Sequence, residues 1–266
     1  MKIIAIANQK AGVGKTTSAI NIGAGLTQLG KRVLLIDLDP QANLTHSLGI
    51  MIHESNKTIY QVLKGEAPFE EIWVDRVGMK ILPSTIHLSG AETELSRLRG
   101  RDRLLKEGIG RPWGFDYILI DSPPSLGLLT LNAFTMAKEI YIPLRMEVSA
   151  LQGLQELLQT VKVVKKWFNK VLAVAGVIRT RFDAQKTHNR EMEEKIKAHF
   201  GDEVFGTPIR EDISLAEASS LGKTIFEYKP DSQGAEDHSA LCDEIVERED
   251  KGTNEQRTQL SSMRVR

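Results

Sequence analysis

The chain has 266 residues, of which 41% are hydrophobic and 26% are charged, a composition typical of a globular protein. Its 35 basic and 35 acidic residues balance, so a general positive field for nucleic acid is excluded and any DNA contact must come from a local basic patch. The single cysteine, Cys242, excludes an intrachain disulfide and cannot by itself hold an iron–sulfur cluster or a zinc ion. This cysteine usage, with no signal peptide or membrane-length apolar run, predicts a cytoplasmic protein.

The first 38 residues predict a strand, a glycine-containing loop, a helix and a second strand. Residues 2–8 form a short apolar run rich in isoleucine, and residues 9–14 contain two glycines. Residues 15–29 have helical length and stop before Gly30, after which residues 32–38 are again mostly apolar. A strand, helix and strand in this order form a βαβ unit, so we expect a parallel sheet.

The same alternation continues along the chain. Further strands are predicted at residues 80–82, 117–121, 139–143, 171–178 and 204–205, and helices at residues 88–98, 125–137, 149–168, 189–200 and 235–248. Because strands that are apolar throughout must be covered on both faces, we predict an α/β fold with a doubly wound, mostly parallel sheet flanked by helices. The predicted domain spans residues 1–248, and the polar segment 249–266 predicts a disordered tail.

A phosphate-binding loop is predicted between the first strand and the first helix. Its residues are Lys10, Ala11, Gly12, Val13, Gly14, Lys15, Thr16 and Thr17. Backbone N–H groups in such a loop, and the helix N-terminus behind it, attract phosphate oxygens. Lys15 is then expected to reach the β- and γ-phosphates, and the Thr16 hydroxyl to bind Mg²⁺. The standard pattern has glycine where Gln9 stands, and a lysine, Lys10, follows one position later.

The loop sequence KAGVGKTT resembles the deviant Walker A motif of the ParA/MinD family. Three further segments resemble the same family in the same order: DLDPQ at residues 37–41, the Walker B-like ILIDSPP at 118–124, and LAEA with GKTI at 215–218 and 222–225, as in ParA and Soj proteins. Together these segments run over residues 1 to about 248. The resemblance implies a P-loop ATPase that uses ATP and Mg²⁺.

The resemblance also implies roles for individual residues. Thr16, Asp39 and Asp121 are the expected metal residues, and Asp39 is also expected to orient or polarise the attacking water. Asp37 has two open roles, in the metal shell or in hydrogen bonds of its own loop. Lys10 is expected to cross a dimer interface to the phosphates of the partner, which makes a homodimer depend on ATP. Lys10, Lys15 and Asp39 are thus the predicted catalytic residues.

Two positions depart from the family pattern near the nucleotide. Ala11 replaces the usual glycine, which would cost about 1 kcal/mol if the backbone φ were positive there. For adenine, the resemblance points to Arg210 and Asp212, where family members often have P-R-N. In this chain Arg210 replaces the proline and Asp212 the asparagine.

DNA is the predicted cargo. Residues 160–200 contain an excess of bases, namely Lys162, Lys165, Lys166, Lys170, Arg179, Arg181, Lys186, Arg190, Lys195 and Lys197. Ser214 stands where Soj-like proteins carry a DNA-binding arginine, so Lys186, Arg190, Arg210 and Lys223 are the candidate DNA contacts. The resemblance implies non-specific DNA binding in the dimer, a stimulating ParB-like protein and association with the nucleoid.

Two other functions are alternatives to DNA partitioning. A MinD-like ATPase acts on a membrane or a protein assembly, but the tail offers only Leu260, Met263 and Val265 as an apolar face, so no membrane partner is predicted. A metabolic P-loop enzyme would need an acceptor pocket, and the sequence identifies none.

Overall fold

The computed structural model describes residues 1–53, 56–110, 114–147 and 150–264. The strands are β1 Lys2–Ile6, β2 Val33–Asp37, β3 Val74–Arg76, β4 Met79–Leu82, β5 Tyr117–Asp121, β6 Glu139–Arg145, β7 Ala173–Phe182 and β8 Ile209–Arg210. The α-helices are α1 Lys15–Gln28, α2 Asn43–Ser47, α3 Ile59–Lys64, α4 Leu88–Leu95, α5 Leu104–Ile109, α6 Leu128–Met136, α7 Ala150–Trp167, α8 Thr187–Phe200, α9 Ser214–Ser220, α10 Ile225–Tyr228 and α11 Gln233–Arg264. Among the described helices, none combines the length and the apolar character that crossing a membrane requires.

These strands form one eight-stranded sheet in the order β3-β4-β2-β5-β1-β6-β7-β8. Every pairing is parallel except β3 with β4, which confirms the predicted mostly parallel sheet. Residues of β1 alternate between two apolar cores. Ile3 and Ala5 belong to the core that includes residues of α6 and α7, whereas Ile4 and Ile6 belong to the core that includes residues of α1 and α11. The unbroken apolar strands of the sequence therefore reflect burial on both faces.

Parallel pairing brings several strand ends to one edge of the sheet. Ile6 and Asp37 both lie opposite Asp121 in register, so β1, β2 and β5 end side by side. The loop that follows β1 leads directly into α1 at Lys15. In open α/β sheets, ligands bind in the crevice at the carboxyl ends of the strands, so this edge is where the functional residues converge.

Two short strands differ from the sequence prediction. The edge strand expected at residues 204–205 is wrong, because β8 is Ile209–Arg210 and Val204 makes only an isolated bridge to Val177. The carbonyl groups of Phe205 and Gly206 instead accept hydrogen bonds from Arg179 at 3.0 and 2.5 Å, which removes them from a strand ladder. The short antiparallel strand β3 was not predicted.

The last helix is longer than predicted. Its backbone continues from Gln233 to Arg264, beyond the end expected at residue 248. The added residues include glutamate, glutamine, lysine and arginine, which are good helix formers. The division of the chain into a domain of residues 1–248 and a tail stays a prediction.

Candidate nucleotide-binding site

The loop between β1 and α1 has the backbone shape that a phosphate cradle requires. Gly12 and Gly14 adopt φ values of 71° and 93°, in the left-handed region that favours glycine. An added Cβ at Gly12 would meet no atom within 4 Å, so the loop is open to a ligand there. Ala11 is not among the described non-glycine residues with positive φ, and alanine therefore carries no left-handed penalty at this position. The loop is tied to β7, because the Thr180 hydroxyl donates to the Val13 carbonyl at 2.9 Å.

Lys15, the first residue of α1, directs its side chain back into this loop. Its side-chain Nζ donates to the main-chain carbonyl of Lys10 at 3.2 Å, and only 8% of the residue is exposed. Burial lowers the pKa of Lys15, while the nearby carboxylates of Asp121 and Asp39 act to raise it. A buried cation close to two carboxylates at a helix N-terminus is suited to hold phosphate oxygens.

Asp121 is fully buried beside Thr16. Its Oδ2 accepts a hydrogen bond of 2.7 Å from the Thr16 hydroxyl, while its Oδ1 is buried without a hydrogen-bond partner among the described residues. Burial raises the pKa of Asp121 well above its usual range, and the charge of Asp37 adds to the shift. An orphaned carboxylate oxygen in such a place calls for a ligand, since leaving it unpaired costs free energy.

These residues fit a Mg²⁺ ion with its water shell. Mg²⁺ in nucleotide sites uses one or two protein oxygens and takes its remaining ligands from water and phosphate. The described part of the chain contains no cluster of three or more histidine, cysteine or acidic residues that could hold a metal alone. The Thr16 hydroxyl and the free Oδ1 of Asp121 are the oxygens available to such an ion.

Asp37 and Asp39 follow β2 and have different surroundings. The fully buried carboxylate of Asp37 accepts from the N–H of Asp39 at 3.2 Å, and from the N–H and hydroxyl of Thr45 at 2.9 and 2.7 Å. Burial nevertheless raises the pKa of Asp37 to about 6. Of its two open roles, these contacts favour hydrogen bonding within the loop. Asp39 is held by the N–H of Gln41, 2.9 Å from its Oδ1, and by the Ser84 hydroxyl, 2.9 Å from its carbonyl.

Lys10 forms an ion pair that sequence reasoning did not find. Its Nζ lies 2.7 Å from Oε2 of Glu147, and about a third of each side chain is exposed, 34% and 31%. Glu147 also pairs with Arg145 at 2.6 Å. The hydrogen bond from Lys10 is the main cause that lowers the pKa of Glu147. The only signal for this pair in the sequence is that Glu147 closely follows a predicted apolar strand, whose carboxyl end lies at the same edge of the sheet as the end of β1.

The predicted adenine residues are engaged within the protein. The guanidinium of Arg210 pairs with Asp237 at 2.6 Å and with Glu236 at 2.5 Å, which joins β8 to α11. Asp212 accepts from the N–H groups of Ser214 and Gly234, both at 2.8 Å, and so fixes the starts of α9 and α11. A role for Arg210 and Asp212 toward adenine stays a prediction.

The candidate DNA contacts differ in whether their charges are already paired with acidic residues. Lys186 lies 3.4 Å from Asp183 and 3.9 Å from Glu211. Arg210 is paired as described above, whereas Arg190 and Lys223 are exposed and form no ion pair with a described residue. The basic residues of segment 160–200 also fall into separate groups in the structure. Lys186 and Arg190 lie at the start of α8, whereas the lysines at 162–170 lie at the end of α7.

Comparisons with known proteins identify the family of this chain. A family model described as an AAA domain matches residues 1–174. The chain is 43% identical to the sporulation initiation inhibitor protein Soj of Bacillus subtilis over 92% of this chain and 98% of that protein. It is 39% identical to the chromosome partitioning protein ParA of Caulobacter vibrioides, over 94% and 95% of the two chains.

Solved structures with the same fold hold nucleotides. Cobyrinic acid a,c-diamide synthase from Mycobacterium smegmatis, with bound ADP and magnesium, superposes with a TM-score of 0.83 at 35% identity, over 95% of this chain and 96% of that one. A putative plasmid partition protein from Borrelia burgdorferi, bound to AMPPNP, gives a TM-score of 0.80 at 26% identity, over 93% and 99%. With relatives at this identity over nearly its whole length, the chain belongs to the Soj/ParA family of P-loop ATPases.

Proposed function

We propose that this ATPase partitions DNA by an ATP-switched dimer, with Mg²⁺ and ATP bound at the carboxyl edge of the sheet. The observation that carries this function is the joint placement of two lysines. Lys15 is buried inside the phosphate loop, whereas Lys10 is partly exposed, with 34% of its side chain open to solvent. One loop thus offers a cation to its own nucleotide and a second cation to a neighbour.

The residues around the phosphate loop have different roles in phosphoryl transfer. Lys15 and the loop N–H groups position the β- and γ-phosphates, and Thr16 and Asp121 hold the metal shell. Bound Mg²⁺ supplies neutralisation of charge on the phosphate oxygens. Asp39, fixed by Gln41 and Ser84, orients the attacking water.

Lys10 links hydrolysis to assembly. When Lys10 leaves Glu147 and reaches the phosphates of a second protomer, the dimer gains a charge-assisted contact that exists only with triphosphate bound. Binding energy between protomers then depends on the nucleotide, which is the property that a molecular switch requires.

The cargo proposed for this dimer is non-specific DNA, with a ParB-like protein that stimulates hydrolysis and with a place on the nucleoid. The support comes from relatives named for chromosome partitioning at about 40% identity, together with the exposed bases Arg190 and Lys223. Contacts of this kind neutralise phosphates without reading bases.

Separating the roles of Lys10 and Asp39 tests the switch. We expect Lys10→Ala to bind a fluorescent ATP analogue with affinity close to that of the native protein, but to remain a monomer with ATP in sedimentation velocity. Asp39→Ala should keep the ATP-dependent dimer and lose hydrolysis by about a hundredfold or more. An ATP dimer of the Lys10→Ala protein would contradict the role of this lysine in the partner site.

The DNA contacts are tested by the salt dependence of binding. In gel shifts with ATP, Arg190→Ala and Lys223→Ala should each weaken DNA binding and reduce the salt slope by about one ion. Lys186→Ala should have a smaller effect, because Lys186 already lies near two carboxylates. Lys106→Ala, an exposed lysine on α5, is the matched control. If the native protein does not retain DNA with ATP at low salt, a protein cargo or a metabolic substrate becomes the better function.

A further inference from the structure

Exposed apolar side chains are concentrated at the end of α7. Val163, Trp167, Phe168 and Val171 are 53%, 69%, 42% and 69% exposed, although they lie within one short segment. We call these four residues, with Lys162, Lys165, Lys166 and Lys170, the α7 surface. Contiguous apolar exposure of this kind marks an interaction site more often than chance scatter does.

The basic residues of the α7 surface lie beside its apolar residues. Residues 157–172 contain these four lysines and no acidic residue. Lys162, Lys166 and Lys170 recur every fourth position, directly before Val163, Trp167 and Val171. Within α7, which ends at Trp167, this spacing places Lys162 with Lys166 and Val163 with Trp167 in two neighbouring stripes, one basic and one apolar, and Lys170 and Val171 lie in the loop that follows. None of the four lysines forms an ion pair with a described residue, so their charge is available to a partner.

The α7 surface is ordered by contacts beneath it. The opposite face of α7 packs into the core through Leu154, Leu157, Val161 and Val164. The loop after α7 is fixed by Asn169, whose buried amide donates to the carbonyls of Phe134 and Ala137 at 2.8 and 2.5 Å. The Nζ of Lys166 lies 4.9 Å from the ring centroid of Trp167, a cation–π contact between the basic and the apolar residues of this surface. A surface ordered in this way binds with a small entropic cost.

Its position separates the α7 surface from the nucleotide. Near its start, α7 passes the phosphate loop, where a Cβ on Gly153 would lie 3.9 Å from Gln9. The whole helix has 18 residues, or about 27 Å, and it ends at the amino edge of the sheet. The loop that carries Lys10 and the α7 surface therefore lie at opposite edges, and both can be occupied at once.

We propose that the α7 surface is a docking site for an acidic amphipathic helix of a partner protein. Val163 and Trp167, one helical turn apart, match the apolar stripe of such a helix, and its carboxylates would lie over Lys162 and Lys166. Duplex DNA would use the lysines but would gain nothing from Trp167 and Val171. A bilayer needs a larger apolar face than these four residues provide. Docking at this surface does not depend on the proposed switch.

A labelled synthetic helix tests this site on the full-length protein. The probe is a fluorescein-labelled peptide of about five turns, with leucine on one face and glutamate beside it, followed by fluorescence anisotropy. We expect binding to the native protein, with about tenfold weaker binding to Trp167→Ser and to the double variant Lys162→Glu, Lys166→Glu. Lys106→Glu should bind as the native protein does, and so should Lys10→Ala with or without ATP.

Several results would overturn the docking site. Equal binding of the peptide by the native protein and both α7 variants would do so, and so would equal binding of a peptide with lysine in place of glutamate. Phosphatidylglycerol vesicles and a DNA duplex are run in parallel. If either binds in a way that Trp167→Ser abolishes while the acidic peptide does not bind, the surface belongs to membrane or DNA instead. Since Lys162, Lys166 and Trp167 do not touch the nucleotide site, unchanged ATP hydrolysis by the α7 variants verifies that they are folded.

Discussion

One ion pair determines where the Lys10 side chain of the phosphate loop lies. Glu147 holds the ammonium of Lys10 at 2.7 Å, so the same lysine that is proposed to reach a partner is paired within its own protomer. A carboxylate and a phosphate then compete for one cation. Because both side chains are about one third exposed, solvent screening keeps this pair weak.

Removing the charge of Glu147 should therefore favour the dimer. An exposed pair contributes about 0.2–1 kcal/mol, so Glu147→Gln should lower the ATP concentration for half-maximal dimerisation by a factor of about 1.4 to 5. The measurement is sedimentation or light scattering over an ATP titration. Glu156→Gln, an exposed carboxylate on α7, serves as the control. An unchanged titration midpoint in Glu147→Gln would show that this pair does not compete with assembly.

At the scale of elements, the pairing of β6 with β7 shapes the core beside the site. The register shifts between Ile140 and Tyr141, so that Gly176 lies opposite Tyr141. A Cβ on Gly176 would come 2.3 Å from Phe205 and 2.8 Å from Tyr141. Glycine at this position lets the two rings meet edge to face at 5.2 Å. β7 also carries Thr180, which holds the phosphate loop.

Adding one methyl group to β7 should therefore be costly. We expect Gly176→Ala to lower the free energy of unfolding by about 1–3 kcal/mol in urea denaturation, because the core is already full. Gly90→Ala in α4 is the contrasting control, since a Cβ there meets no atom within 4 Å. It should raise the free energy of unfolding by about 0.5–1 kcal/mol, as alanine favours the helix. Equal effects of the two variants would contradict the packing account of β7.

Over the whole molecule, burial of one histidine links stability to pH. His238 on α11 is 1% exposed, its ring Nδ1 lies 2.7 Å from the Gly234 carbonyl, and its Nε2 is buried without a partner among the described residues. Burial lowers the pKa of His238. As the pH is lowered, the unfolded chain, with a histidine pKa of about 6.5, therefore binds a proton at this histidine at a higher pH than the folded protein does.

Stability should fall as the pH decreases through 6.5 toward the lower folded pKa, and this contribution should be absent above 6.5. The loss has a limit of about 1.4 kcal/mol for each pH unit. Urea denaturation of the native protein and of His238→Gln at pH 8 and pH 5 measures it. The variant should lose less stability between the two values, and a parallel loss in both proteins would show that His238 does not contribute.

The sequence by itself determined the elements and the phosphate loop. Apolar runs such as residues 117–121 identify buried strands because a parallel sheet is covered on both faces. The glycines before Lys15 identify the phosphate loop because the backbone shape of that loop is set locally. Pairing with a distant residue leaves no such local signal. For this reason only the tertiary structure decided three features. They are the contact of Lys10 with Glu147, the ion pair of Arg210 with Asp237, and the separation of the basic residues onto two edges of the sheet. Each depends on which strand ends and helix ends the sheet order brings together.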